Sequence, residues 1–243
     1  YQANSLVPVS ISGYPTYKSI SGGASHTCGL QLAGQAYCWG GNGAGQLGTV
    51  SVSGSTEIPV SVDLPSSHTF GHISAGYNTT CALQSDGLAM CWGENDNGQV
   101  GDGSTIERAV PTYVSQGPLR FNTLQVGIRT VCALTTAGEA YCWGLNDYGQ
   151  LGNGTTSNAS TPQPVSGSYT YSAIAVGNRV SCGIATSGET LCWGSNASGM
   201  LGDGTNNDSA TPVTVAIISV AVNVAISLAT EEVAIAAAQP KIL

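Results

Sequence analysis

Basic residues are scarce in this chain. Its 243 residues carry 6 Lys and Arg against 14 Asp and Glu, a formal net charge of −8, with no basic run anywhere. A surface that follows phosphates needs clustered cations, so no nucleic acid partner is expected. Histidine is equally sparse. His68 and His72 have a spacing open to metal ligation but flank Phe70 with no third ligand evident, and His26 directly precedes a Thr-Cys pair. Asn95-Asp96-Asn97-Gly98 and Gly101-Asp102-Gly103-Ser104 lack the acidic first and twelfth positions of a helix-loop-helix calcium site. There is no phosphate loop, Gly-x-Ser-x-Gly or His-Glu-x-x-His. No catalytic residue, metal ligand or cofactor is therefore expected. Long apolar runs are missing too: the most apolar stretch, 216–243, is broken by Asn223 and Glu231-Glu232, short of the roughly 20 residues a membrane span needs.

What the chain has is repetition. Cys-Trp-Gly occurs four times, at tryptophans Trp39, Trp92, Trp143 and Trp193, which lie 53, 51 and 50 residues apart. A second cysteine precedes each motif cysteine by ten positions, giving the pairs Cys28 and Cys38, Cys81 and Cys91, Cys132 and Cys142, Cys182 and Cys192. A constant period of this size marks one supersecondary unit stacked in an array. The 33 glycines and 8% charged residues suit many short strands joined by tight turns.

Paired cysteines admit three chemistries: disulfides, thiolate metal ligands or free thiols. Even, regular spacing favours disulfides and an oxidising compartment, whereas thiolate sites usually use closer Cys-x2-Cys pairs. An extracellular location is the expectation. Five Asn-x-Ser/Thr sequons, at Asn78, Asn153, Asn158, Asn196 and Asn207, offer covalent glycan sites in such a compartment. Opening at Tyr1 without Met, the sequence reads as a processed product or a piece of something longer.

Local pattern fixes the register. In the second unit two alternating runs flank Ser85-Asp86-Gly87, so pairing Gln84 with Leu88 leaves a three-residue turn. Its last position needs a left-handed backbone, which glycine adopts without penalty. Gly34, Gly87, Gly138 and Gly188 all hold that place. Counting outward sets Cys81 opposite Cys91, and the other three pairs likewise, so a cross-strand disulfide is predicted in each hairpin. Each closes a loop of about 11 residues, worth roughly 2 to 3 kcal/mol through the unfolded state.

Further signals repeat around this hairpin. An aromatic residue stands three before an aliphatic one (Tyr17 and Ile20, Phe70 and Ile73, Phe121 and Leu124, Tyr171 and Ile174), followed by Gly23, Gly76, Gly127 or Gly177, where another backbone comes close. Downstream come Gly-Gln-Leu-Gly or its variants and a strand bearing Pro59, Pro111, Pro162 or Pro212, with Pro8 at the equivalent place near the start. Proline suits an edge strand.

The composite, aliphatic-x-x-Gly, Cys-Ala-Leu, then Tyr-Cys-Trp-Gly-x-Asn-x-x-Gly-Gln-Leu-Gly-x-Gly-Thr, resembles the repeat of the regulator of chromosome condensation family across residues 17 to 215. The resemblance implies an all-β fold, a β-propeller in which each unit of about fifty residues forms a four-stranded blade. Four clear units (about 17–65, 66–117, 118–167 and 168–215) are expected, with 1–16 completing a preceding or closing blade and 216–243 forming a degenerate blade or docking tail. Paired cysteines and low charge look like the extracellular branches of that family rather than its nuclear nucleotide-exchange factor. The four tryptophans admit two roles, blade-to-blade packing or a stacking platform for glycans.

Units differ most between Gly-Gln-Leu-Gly and the Pro strand, at Thr49 to Ile58, Asp102 to Val110, Asn153 to Thr161 and Asp203 to Thr211. Variable loops on a rigid frame make a contact surface. The expected function is a non-catalytic extracellular scaffold that binds a protein partner or self-assembles. A secreted inhibitor or receptor ectodomain recognising a protein through these loops is the alternative. A cell-surface enzyme and a nucleotide-exchange factor are the remaining readings.

Overall fold

The computed structural model describes residues 16–64 and 68–216; the expected closing strand around Pro8 and the tail from 217 onward lie outside the described residues. Sixteen strands form four antiparallel four-stranded sheets, each a simple meander. The first sheet is β1 (Tyr17–Gly22), β2 (His26–Gln31), β3 (Ala36–Asn42) and β4 (Gly54–Ser61). The second is β5 (Phe70–Ala75), β6 (Thr79–Gln84), β7 (Ala89–Gly93) and β8 (Arg108–Tyr113). The third comprises β9 (Phe121–Val126), β10 (Thr130–Thr135), β11 (Ala140–Gly144) and β12 (Ala159–Pro164), and the fourth β13 (Tyr171–Val176), β14 (Val180–Ala185), β15 (Thr190–Gly194) and β16 (Ser209–Thr214).

The hairpin register is the one the turn chemistry dictates. Gln84 N–H donates to Leu88 O at 2.9 Å, and Gly34, Gly87, Gly138 and Gly188 take φ of 85°, 82°, 83° and 97°. The paired cysteines sit directly opposite one another in all four sheets, and each pair is a disulfide. The proline strands β4, β8, β12 and β16 hydrogen-bond on one side only, each with a register irregularity.

Sheet alternation explains Cys-Trp-Gly. Neighbouring residues in a strand face opposite sides, so the cysteine points toward the next blade and the tryptophan toward the preceding one. Each seam between blades therefore contains a disulfide from one sheet and an indole from the next. The first seam packs Cys28, Cys38, Leu30 and Leu47 on Phe70 and Trp92; the second packs Cys81, Cys91 and Val100 on Phe121 and Trp143; the third packs Cys132, Cys142 and Leu151 on Tyr171 and Trp193. Among the described residues the hydrophobic core is these three seams.

The first strands line the axis, β1 beside β5, β5 beside β9, and β9 beside β13. Their terminal glycines permit that approach. A Cβ on Gly23 would collide with the carbonyl oxygen of Gly76, one on Gly76 with that of Gly127, and one on Gly127 with that of Gly177. Hydrogen bonds follow the same path, from Ala24 N–H to Tyr77 O at 3.0 Å and from Tyr77 N–H to Gly127 O at 3.3 Å. At Gly177 a Cβ would meet, among the described residues, only Val180 of its own blade.

Candidate functional site

The β1–β2 type turns and the β3–β4 type loops emerge at the same end of the blades, so the four variable segments share one face with the axial mouth. What holds them is a buried asparagine in each Trp-Gly-x-Asn, a residue the sequence reading quoted within the motif without giving it a role. Asn95 Oδ1 accepts the Val100 N–H at 2.8 Å while its amide donates to Ser104 O at 3.1 Å and Ile106 O at 2.9 Å. Asn42 ties Leu47 N–H to Val52 O, Asn146 ties Leu151 N–H to Thr155 O and Ser157 O, and Asn196 ties Leu201 N–H to Thr205 O. One side chain thus satisfies turn and loop backbone together, and the loop cannot detach without leaving buried polar groups unpaired.

The sequon asparagines differ in surroundings. Asn196 is fully buried and its Nδ2 is spent on Asp203 and Thr205. Asn207 is exposed; Asn158 is exposed too, with its Oδ1 accepting the Asn146 N–H and its Nδ2 donating to Asn97 Oδ1; Asn78 and Asn153 are half-buried with their side chains hydrogen-bonded.

The loops begin with a second repeated device. Asp102, Asn153 and Asp203 each accept both the backbone N–H and the hydroxyl of the residue two further on, Ser104, Thr155 and Thr205. Burial works to raise the Asp102 pKa, but hydrogen bonds from Ser104 and the Arg108 guanidinium, 2.6 Å away, hold it below the usual carboxylate value. The backbone N–H of Thr205 is the main reason that Asp203 is likewise held low. These carboxylates are locked as turn acceptors. Among the described residues no three His, Cys, Asp or Glu side chains come together as a metal site.

Beneath the loops, the Gly-Gln-Leu-Gly turn joins adjacent blades. The carbonyl of Gln46 accepts the Trp92 indole N–H at 3.0 Å and the Thr80 hydroxyl at 2.9 Å, Gln99 O accepts Trp143, and Gln150 O accepts Trp193. Trp92, Trp143 and Trp193 have no exposed surface, so blade packing consumes them and no glycan platform is available at those three; Trp39 is half-buried. His26 bridges the first seam. Because Thr80 spends its proton on Gln46, His26 Nε2 donates to Thr80 Oγ1 at 2.8 Å, its Nδ1 has no partner, and burial pushes its pKa down to about 4. His72 bonds Leu124 O across the second seam and His68 bonds the Tyr113 hydroxyl.

Antiparallel four-stranded blades around a common axis, sealed by disulfide and indole, define a β-propeller of tandem repeats. The chain belongs to the regulator of chromosome condensation (RCC1) repeat family: that family's repeat matches residues 33–83, 86–134 and 137–184, together more than half of the chain, and a second form of it matches 17–46 and 72–99. The chain is 32% identical over 149 residues to human E3 ubiquitin-protein ligase HERC2, covering 60% of this chain and 3% of that protein. It is 32% identical over 164 residues to the Arabidopsis thaliana ultraviolet-B receptor UVR8, covering 66% of this chain and 37% of the receptor. Among solved structures, human WBSCR16 aligns at a TM-score of 0.74 with 21% identity over 83% of this chain and 53% of that one. Prp20p of Saccharomyces cerevisiae, described with its binding to Gsp1p and histones, aligns at 0.74 with 20% identity over 86% and 53%. The chain thus spans about half of these structures and far less of HERC2. At that identity the structures speak for the fold.

Proposed function

We propose that this chain is an extracellular, non-catalytic propeller that acts by binding protein, as a scaffold for recognition or self-assembly. The observation that carries the reading is the division of labour at the loop face: repeated Asn clamps and carboxylate turns hold segments whose sequences differ from blade to blade. Conserved geometry presenting varied side chains is how a rigid frame generates a contact surface. Four hairpin disulfides, three of them wholly buried, support an oxidising compartment, since thiols at these positions would stay reduced inside a cell. Protein binding by a propeller of this fold has a precedent in Prp20p, which binds Gsp1p and histones. Glycans, where the source attaches them, belong at the exposed Asn158 and Asn207.

The test combines native mass across a concentration series, electron microscopy for ordered polymers, and capture of extracellular proteins by the intact chain and by one whose four variable segments are replaced by Gly-Ser. Concentration-dependent assemblies, or a partner lost on loop replacement, are expected. A chain that stays monomeric and captures nothing, or turns over a substrate, overturns the reading.

A further inference from the structure

The three seams carry the same glutamine in the same conformation but end differently. Gln46, Gln99 and Gln150 each accept, through Oε1, the backbone N–H two residues earlier (Ala44, Asn97 and Tyr148), which leaves each Nε2 as the free end of the amide. In the first seam that amide is satisfied by Ser25 Oγ at 3.5 Å and Asn78 Oδ1 at 3.3 Å. In the next two blades the position of Asn78 is taken by Arg129 and Arg179, which offer donors only. Accordingly Gln99 Nε2 and Gln150 Nε2 are buried without a partner among the described residues, Gln99 at 0% exposure and Gln150 at 1%.

In the second seam the arginine is neutralised while the Gln99 amide stays unpaired. Glu94 accepts from Arg129 Nε through Oε1 at 3.0 Å and from Asn78 Nδ2 through Oε2 at 3.0 Å, so one carboxylate bridges a guanidinium and an amide. In the third blade the residue at the place of Glu94 is Leu145. Arg179 has no carboxylate within ion-pair distance among the described residues; its guanidinium is exposed and lies 4.7 Å above the Tyr148 ring, the residue whose N–H holds Gln150. Arg179 and Gln150 thus share Tyr148 as a neighbour, one on its ring and the other on its N–H, and Arg179 stands at the repeat position of Asn78, which satisfies the amide of Gln46 in the first seam.

We infer that the third seam is a carboxylate-binding site, in which an Asp or Glu side chain of a protein partner bridges Arg179 and the Gln150 amide, pairing with Arg179 as Glu94 pairs with Arg129 on the neighbouring blade. The planar guanidinium stacked on Tyr148 presents a paired donor edge suited to a carboxylate. This names the partner chemistry for the binding-scaffold reading and rests on it.

The experiment is a titration of the isotope-labelled intact chain with the capped peptide Gly-Glu-Gly-Glu-Gly, read at the Gln150 side-chain amide and Arg179 Nε–H resonances. Its Gln-for-Glu counterpart and sodium sulfate at equal ionic strength are the comparison arms. The Glu peptide is expected to shift both signals saturably, and Arg179→Gln to weaken binding about tenfold or more. Leu145→Glu places an acid where Glu94 stands in the preceding blade: it pairs with Arg179, shifts the Arg179 resonance without peptide and abolishes the peptide response. Arg120→Gln, an exposed arginine on the opposite face, leaves binding unchanged. No shift with the Glu peptide, an equal response to the Gln peptide or to sulfate, or a response surviving Arg179→Gln overturns the site. Should Arg179→Gln retain the assembly or partner capture of the native chain while Gln150 is silent to the peptide, the site falls and the scaffold reading stands.

Discussion

Gly127 and Gly177 occupy the same repeat position, and the structure assigns opposite consequences to the same substitution at the two. At Gly127 an added Cβ meets the carbonyl oxygen of Gly177, Val176 Cγ1 at 2.7 Å and Thr130 O at 3.3 Å. The carbonyl is backbone in a strand that pairs with β14 and packs on β9, so it cannot swing away as a side-chain tip would. Overpacking against an immovable neighbour costs about 1–3 kcal/mol, and the blade must slide outward to relieve it, lengthening the Trp193 bond to Gln150 O. At Gly177 the nearest atoms among the described residues are Val180 Cγ1 at 3.2 Å and Val180 O at 3.4 Å, close to ordinary contact. Its backbone is outside the left-handed region, so alanine there restricts the unfolded chain and is worth about 0.4–1 kcal/mol in the stabilising direction. Gly127→Ala is therefore expected to lower Tm by about 4–8 °C if the cost is near 2 kcal/mol, while Gly177→Ala leaves it level or slightly raised. Thermal unfolding with disulfides intact measures this, and hydrogen exchange at Ile128 and Trp193 reports whether the third seam opens first. Equal destabilisation by the two substitutions refutes the reasoning, because it requires another backbone packed on Gly177.

Three further outcomes follow from the same geometry. Replacing Cys81 and Cys91 together by Ala should cost about 3 kcal/mol, the entropy of closing a loop of about 11 residues, and peptide mapping of the oxidised chain should find cysteines joined only within hairpins. Asn146→Ala strands the Leu151 N–H and frees Thr155 O and Ser157 O, a loss of about 2–4 kcal/mol that proteolysis of the Asn153 to Thr161 loop should register before global unfolding. The His26 pKa is pushed down to about 4 from 6.5, so the unfolded chain binds its proton first as pH falls: stability is level above about pH 7, declines between about pH 6.5 and 4, and is lower by at most about 3 kcal/mol below that. His26→Gln should flatten this part of the stability profile in denaturant titrations, and an unchanged slope would assign the decline to other groups.

Period and register were legible in the sequence because covalent and backbone constraints set them. The ten-residue cysteine spacing, a three-residue turn and a glycine forced to positive φ leave one pairing, and the structure has it in all four hairpins. The glycine ladder at the axis was legible as a place of close approach, but not as a contact with the following blade. A single repeat does not encode its neighbour's distance. The loop clamps escaped notice for a related reason: Asn in Trp-Gly-x-Asn reads as a turn residue until burial shows that both ends of its amide are occupied.

The third seam was the least legible, and the cause is general to stacked repeats. Within one unit Gln150 is the ordinary glutamine of its turn, Arg179 a surface cation and Leu145 an unremarkable aliphatic. Their meaning arises only when the position of Arg179 in one blade is laid over the position of Leu145 in the previous one and both are compared with the pair Arg129 and Glu94. An array whose frame is constant places equivalent positions of successive units side by side, so a substitution in one unit changes the chemistry of a seam shared with the next. Exchange of Glu for Leu at that position leaves the arginine of the third seam without the carboxylate that the second seam supplies. Placing Glu at 145 gives Arg179 an internal partner, and placing Leu at 94 should free Arg129, beside the Gln99 amide that is already unpaired, as a second site of the same kind. A double exchange that moves the carboxylate response from Gln150 to Gln99 would show that the residue at this one position decides which seam binds.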